Sequence, residues 1–206
     1  MVAIVDYGMG NLRSVQKALQ RVGQEAEITA DPAQIARAAK VVLPGVGAFG
    51  AAMRNLESAG LVPTLLEVVR SGRPFLGICL GLQLLFTESE EQGRHPGLAI
   101  IPGRVVRFPE LQSPEGRPLK IPHIGWNTLA MRPDSRLFAG IPPAARVYFV
   151  HSYFGVPEDA GWTAATSSYG ITFCAAVERA NLFATQFHPE KSGEVGLQIL
   201  SNFARL

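Results

Sequence analysis

Two short stretches of the chain carry residue types suited to acyl-transfer chemistry. In Pro74-Phe75-Leu76-Gly77-Ile78-Cys79-Leu80-Gly81-Leu82-Gln83, an apolar run stops at a cysteine set between two glycines. It reads as a strand over 75–78 that delivers Cys79 onto a tight, strained turn, with a helix leaving over 80–87. Gly77 and Gly81 then leave room for strand and helix to close on each other. A cysteine at a helix N-terminus meets free N–H groups and the positive end of the macrodipole, which favour the reactive thiolate. Taken alone, Cys79 is more simply a small buried hydrophobe, the usual fate of a cysteine in an apolar run. Gln83 weakens that alternative. It is the one polar residue between Leu80 and Phe86, and one helical turn sets it beside the sulfur. A buried amide needs partners, and a substrate held at the cysteine supplies them.

The second stretch is Phe187-His188-Pro189-Glu190. Proline forces the residue before it into extended backbone, so His188 and Glu190 share a face. An imidazole with a carboxylate two residues on is what a general base needs: the carboxylate fixes the tautomer and stabilises the imidazolium. Either residue alone could be a roleless loop histidine or a solvated carboxylate. With Cys79 they make a Cys-His-Glu triad. His95, His123 and His151 have no partner at metal-ligand spacing, and Cys79 lies far in sequence from Cys174, so no metal is expected.

These residues need a scaffold, and the first half of the chain supplies one. Apolar strands at Val2-Ala3-Ile4-Val5 and Val41-Val42-Leu43 alternate with helices, one presenting Leu12, Val15, Ala18, Leu19 and Val22 and another Phe49, Ala52, Met53 and Leu56. Asn11 is read as the cap of the first helix, Gly23 as its end, and Asp31-Pro32 as the start of another. Strands apolar throughout imply a parallel sheet covered on both faces, hence an α/β, doubly wound first half. Such sheets bind ligands at the carboxyl ends of their strands. The loops at Asn11, at Pro44-Gly45-Val46-Gly47-Ala48-Phe49-Gly50 and at Cys79 therefore converge. The glycines of the second loop let peptide N–H groups point at a ligand, although a plain sharp turn accounts for them as well. Gly8-x-Gly10 lacks the third glycine of a dinucleotide fingerprint, where Arg13 stands.

Beyond Gly103 the pattern changes to short runs at 104–108, 123–127, 146–153, 162–167 and 172–178, a mainly antiparallel section. The stretch 110–118 is expected to be flexible. A strand at 182–187 and a helix from Gly193, capped by Ser192, close the chain. A length of 206 residues with 47% hydrophobic content suits one compact domain over 1–206. A net charge of +2 with scattered arginines shows no footprint for nucleic acid or an anionic membrane. The first residues read as a strand rather than a signal peptide, no stretch spans a membrane, and two cysteines imply no disulfide framework, so the cytoplasm is expected.

Gly77-Ile78-Cys79-Leu80-Gly81-Leu82-Gln83 together with Phe187-His188-Pro189-Glu190 resembles the triad, or class I, glutamine amidotransferases. Asp6-Tyr7-Gly8-Met9-Gly10-Asn11-Leu12, the Pro44–Gly50 loop, Pro122-His123-Ile124-Gly125-Trp126-Asn127 and Tyr148-Phe149-Val150-His151-Ser152-Tyr153 are similar to one family among them, the glutaminase subunits of imidazole glycerol phosphate synthases. The resemblance spans essentially the whole chain. It implies a flavodoxin-like fold, with a mostly parallel sheet and an additional antiparallel section in the second half. It implies glutamine as substrate, no cofactor, and ammonia passed to a (β/α)8-barrel cyclase subunit in a heterodimer that serves histidine biosynthesis. Carried over residue by residue, it makes Cys79, His188 and Glu190 catalytic and the backbone N–H groups of Val46 and Leu80 oxyanion donors. Gln83, Ser152, Tyr153 and Gly47 become glutamine-site positions, and Trp126, Asn127, Tyr148 and Lys191 the cyclase-facing surface. For Ser152 and Tyr153 an ordinary strand end, and for Trp126 a place in the core, remain open. A free-standing cysteine peptidase or small-molecule hydrolase, or a binding module with a dead site, are the rival readings; the complete triad and the glutamine-site residues speak against both.

Overall fold

The computed structural model describes residues 1–113 and 116–206. In chain order the first half runs β1 (Val2–Val5), α1 (Leu12–Arg21), β2 (Ala26–Thr29), α2 (Pro32–Arg37), β3 (Lys40–Gly45), α3 (Phe49–Ser58), α4 (Val62–Arg70), β4 (Phe75–Cys79) and α5 (Leu80–Gln83). The second half runs β5 (Phe86–Ser89), β6 (His95–Pro96), β7 (Ile101–Arg107), β8 (His123–Thr128), β9 (Ala130–Met131), β10 (Arg146–His151), β11 (Tyr153–Pro157), β12 (Thr163–Tyr169), β13 (Ile171–Arg179), β14 (Leu182–Thr185) and α6 (Gly193–Ala204).

The main sheet has the order β2-β1-β3-β4-β14-β13-β12-β9. Its first five strands pair in parallel and the remaining pairs are antiparallel. This is the flavodoxin-like arrangement extended by an antiparallel flank. Side chains alternate across the central strands, as a pleat requires. Val2, Ile4, Val42, Leu76 and Ile78 pack into one apolar cluster with α1 and α6 residues such as Leu19 and Phe203. Ala3, Val5, Val41, Leu43 and Phe75 pack into the other, with Ile35, Leu56 and Leu65. Two smaller sheets, β10-β8 and β11-β7-β5-β6, stand beside the main one. Among the described residues no helix is long and apolar enough to cross a membrane.

Several sequence expectations need correction. The helix after Cys79 does not run over 80–87: it ends at Gln83, and Phe86–Ser89 is a strand. Apart from Gln83 the run 80–86 is apolar and has no helical period to hold, and Phe86 packs instead against the backbone of Gly155, where a Cβ would meet its ring at 2.3 Å. The expected strand over 146–153 is two strands. β10 pairs with β8 and β11 with β7, and the chain changes sheets at Ser152. Strand β2 carries no apolar run and forms because β1 offers it a parallel edge. Asn11 and Ser192 occupy the N-cap positions of α1 and α6 without a side-chain cap bond, whereas Asp31 does accept from the Ala33 N–H. The stretch 110–118 includes Pro114 and Glu115, which lie outside the described residues. On either side of them, Ser113 N–H donates to the Arg117 carbonyl and Leu119 N–H to that of Leu111.

Candidate active site

Cys79 ends β4 with φ 57° and ψ −109°, a left-handed conformation that costs a side-chain-bearing residue energy unless its surroundings impose it. The surroundings are two glycine contacts. A Cβ on Gly81 would lie 1.9 Å from the Leu43 carbonyl oxygen, and one on Gly77 would lie 2.8 Å from that of Gly81. Strand and helix therefore close only as glycine permits. With a single turn behind it, α5 adds little macrodipole at the sulfur, contrary to the sequence expectation, because the aligned peptide dipoles are few.

His188 sits three residues past the end of β14, which runs parallel to β4 with Thr185 beside Ile78. Its backbone is pinned from β10: His188 N–H donates to the Tyr148 carbonyl at 3.0 Å. Ser192 Oγ donates to the His188 carbonyl at 2.7 Å and accepts from the Tyr148 N–H at 3.0 Å. Here the Ser192 hydroxyl ties the histidine in place instead of capping α6. His188 Nδ1 lies 2.8 Å from Glu190 Oε1, with both side chains buried. The carboxylate accepts from Nδ1–H, so Nε2 is the nitrogen left toward the thiol. Nε2 and Glu190 Oε2 are buried without hydrogen-bond partners among the described residues. Burial by itself pushes this imidazole down, but Cys79 and Glu190 together outweigh it and raise its pKa to about 10.

A pocket of about 330 Å³ opens at the sulfur, within the ordinary range for small-molecule sites. Val46, Gly47, Cys79, Leu80, Gln83, Ser152, Tyr153 and His188 all line it, so residues named from four separate stretches of sequence meet in one cavity. Gly45 lies across from Cys79 in the β3–β4 pairing. A Cβ there would meet the Tyr7 hydroxyl at 2.6 Å and Leu80 Cβ at 2.9 Å, so close packing against the nucleophile turn demands this glycine. Gly47, by contrast, has φ +98° and needs its conformational freedom. Tyr7 donates to the Pro44 carbonyl at 3.0 Å and holds the loop; burial, then the neighbouring Cys79, keeps its phenol protonated.

Glu91 and His151 line the pocket without having received a site role from the sequence. Glu91 brings a carboxylate into the pocket wall, with Oε2 accepting from the Phe49 N–H at the start of α3 at 2.7 Å. Its signal is faint, because it is one acidic residue in a polar loop. His151 also lines the pocket and is joined to His123, Nε2 to Nδ1, at 3.1 Å. The proton positions follow from the partners. His151 Nδ1 faces the Tyr153 carbonyl at 2.8 Å and must donate, so Nε2 accepts from His123 Nδ1–H. His123 Nε2 is then an acceptor, with Asn127 Nδ2 3.5 Å away. Burial lowers the pKa of His123 to about 4 and that of His151 to about 3.

Trp126 is 47% exposed and so is not core; its ring meets that of Tyr148 edge-on across the β8–β10 ribbon. Asn127 follows on β8, and exposed Lys191 ends the turn after Glu190. Among the described residues no cluster of three or more His, Cys, Asp or Glu side chains could hold a metal ion.

The family described as Glutamine amidotransferase class-I matches residues 3–206. A protein of Syntrophotalea carbinolica named imidazole glycerol phosphate synthase subunit HisH is 61% identical over 203 residues, covering 98% of both chains. One of the same name from Geobacter sulfurreducens is 56% identical over 205 residues, covering 100% of this chain and 98% of the relative. A crystal structure titled glutamine amidotransferase superposes with a TM-score of 0.74 over 99% of this chain and 100% of its own, at 19% identity, a likeness of fold. With matches that run end to end, the chain belongs to the class-I glutamine amidotransferase family and, within it, to the HisH group.

Proposed function

We propose that the chain, acting as one amidotransferase domain over residues 1–206, hydrolyses glutamine through a Cys79 thioester and passes the ammonia to a synthase partner. The observation that carries this reading is the Cys79 thiol on a strained turn, coupled to the buried His188–Glu190 pair and open to the pocket. Glutamine enters with its amide toward Cys79. Both Gln83 Nε2 hydrogens are engaged, by the Tyr153 carbonyl and by Gln186, which leaves Oε1 to accept from the α-ammonium. Glu91 offers that ammonium a countercharge, and Gly47, Ser152 and Tyr153 hold the rest of the amino-acid end.

The Cys79 proton passes to His188 Nε2 and the thiolate attacks the amide carbon. The carbonyl oxygen becomes an oxyanion held by the N–H groups of Val46 and Leu80. His188 gives its proton to the departing nitrogen, the C–N bond breaks, and ammonia leaves a γ-glutamyl thioester. Water then attacks with His188 as base; the C–S bond breaks and glutamate is released. Glu190 holds the imidazole in one tautomer throughout.

The partner is a (β/α)8-barrel cyclase subunit, as expected for a heterodimeric imidazole glycerol phosphate synthase, and the channelled ammonia serves formation of imidazole glycerol phosphate and aminoimidazole carboxamide ribotide in the cytoplasm. Trp126, Asn127, Tyr148 and Lys191 form the docking face. An exposed tryptophan on a β-ribbon beside the His188 turn suits an anchor. The deciding experiment is Cys79→Ala assayed with the cyclase subunit. Glutamine-dependent synthesis should vanish while synthesis from free ammonium persists; persistence of glutamine turnover would remove Cys79 from the mechanism.

A further inference from the structure

Gln186 received no role from its sequence, yet it is 0% exposed and carries an amide at the centre of the site. A buried amide is costly unless its groups are bonded, and both ends of this one are. Its Oε1 faces Gln83 Nε2 at 3.1 Å and its Nε2 faces Cys79 Sγ at 3.9 Å. The orientation of an amide is settled by its neighbours, and here they settle it completely. Gln83 also faces the Tyr153 carbonyl at 3.0 Å, a group that only accepts, so that end of Gln83 is its NH2. The Gln186 atom facing the same NH2 must be oxygen, and the N–H of Gln186 must point at the sulfur.

A donor aimed at sulfur favours the charged thiolate, because hydrogen bonds to an ionised acceptor are roughly twice as strong as neutral ones. The site needs one, since the single-turn α5 contributes little field. We infer that Gln186 is a further catalytic residue, its side-chain N–H holding the Cys79 sulfur as thiolate once the proton has moved to His188, with Gln83 fixing the direction of that N–H. The inference rests on Cys79 being the nucleophile. It also gives Gln83 two duties: its oxygen meets the substrate while its NH2 group sets the donor to the nucleophile.

The test uses the full chain with its cyclase partner and two variants. Gln186→Glu keeps an oxygen for Gln83 and removes the N–H at the sulfur; Gln186→Met removes both. Cys79 alkylation by iodoacetamide is followed against pH, alongside kcat and KM for glutamine. In both variants the alkylation profile should move to higher pH by about one unit, a tenfold loss of thiolate. In Gln186→Glu, kcat should fall on the order of 10²-fold, the cost of one lost donor to a reacting atom, with KM within about threefold of the parent. An alkylation profile matching the parent in either folded variant overturns the inference. So does a Gln186→Glu enzyme that keeps parental kcat, which would make Gln186 only an acceptor for Gln83. If instead Cys79→Ala still hydrolyses glutamine, the nucleophile assignment itself fails, an outcome distinct from both.

Discussion

Two buried histidine sites lie side by side in this molecule with opposite proton affinities. His188 is raised to about 10, while His123 and His151 are lowered to about 4 and about 3. Burial acts on all three in the same direction, against the charged ring. The difference is in the partners. His188 has the Glu190 carboxylate on one nitrogen and the Cys79 thiol near the other, so a proton gained there is stabilised by two acidic groups. Among the described residues the pair's hydrogen-bond and ring partners are neutral: each other, the Tyr153 carbonyl, the Asn127 amide, and aromatic rings, with His123 stacked on Tyr169 at 4.1 Å and on Phe149 at 5.0 Å. His188 in turn helps keep His151 neutral. One site is built to carry a proton and the other to refuse one, and the Cys79 thiol and Glu190 carboxylate together decide which.

Removing the carboxylate should narrow the contrast and gives the largest effect. Glu190→Gln keeps the shape of the side chain but lets His188 fall toward its neighbours and lose its fixed tautomer. Glutamine turnover should drop about 10³-fold to 10⁴-fold with little change in KM, the scale of the corresponding carboxylate-to-amide change in a triad. Activity within tenfold of the parent would mean that Glu190 does not set the state of His188.

The pair should reveal itself in acid. A histidine whose folded pKa lies below its unfolded value contributes stability that is present above about pH 6.5 and lost as pH falls toward the folded value. Below pH 6.5 the unfolded chain takes up two protons that the folded pair refuses until about pH 4 and pH 3. The unfolding free energy from denaturant titrations should therefore fall over this window with a slope approaching about 2.7 kcal/mol per pH unit from the pair. Flat stability between pH 6.5 and 4 would contradict neutral, buried rings.

A smaller change separates one member from the other. His123→Asn keeps an N–H toward His151 Nε2 while removing the titrating ring. The acid slope should shrink by roughly 1.4 kcal/mol per pH unit, one proton's share. Loss of the stacked ring should cost about 1–2 kcal/mol at neutral pH, and glutamine turnover should stay within about threefold. An unchanged slope would place the acid sensitivity elsewhere.

Local spacing alone determined the main parts of this protein. Glycines two residues before and after Cys79 specify a close strand-to-turn junction, a proline after His188 specifies extended backbone with Glu190 on the same face, and apolar runs specify central strands. Each depends on chain stereochemistry over a few residues, so the sequence contains it. Tertiary structure decided what spacing cannot encode. Gln186 reaches Cys79 from 107 residues away, Glu91 reaches Phe49 from 42, and His123 meets His151 from 28. The strand at Phe86–Ser89 replaced an expected helix because Phe86 found Gly155, and β2 formed because β1 had an open edge. Proton positions belong to the same class. Which histidine keeps a proton depends on the charges and dipoles assembled around a buried ring, and those are set only when the strands have closed.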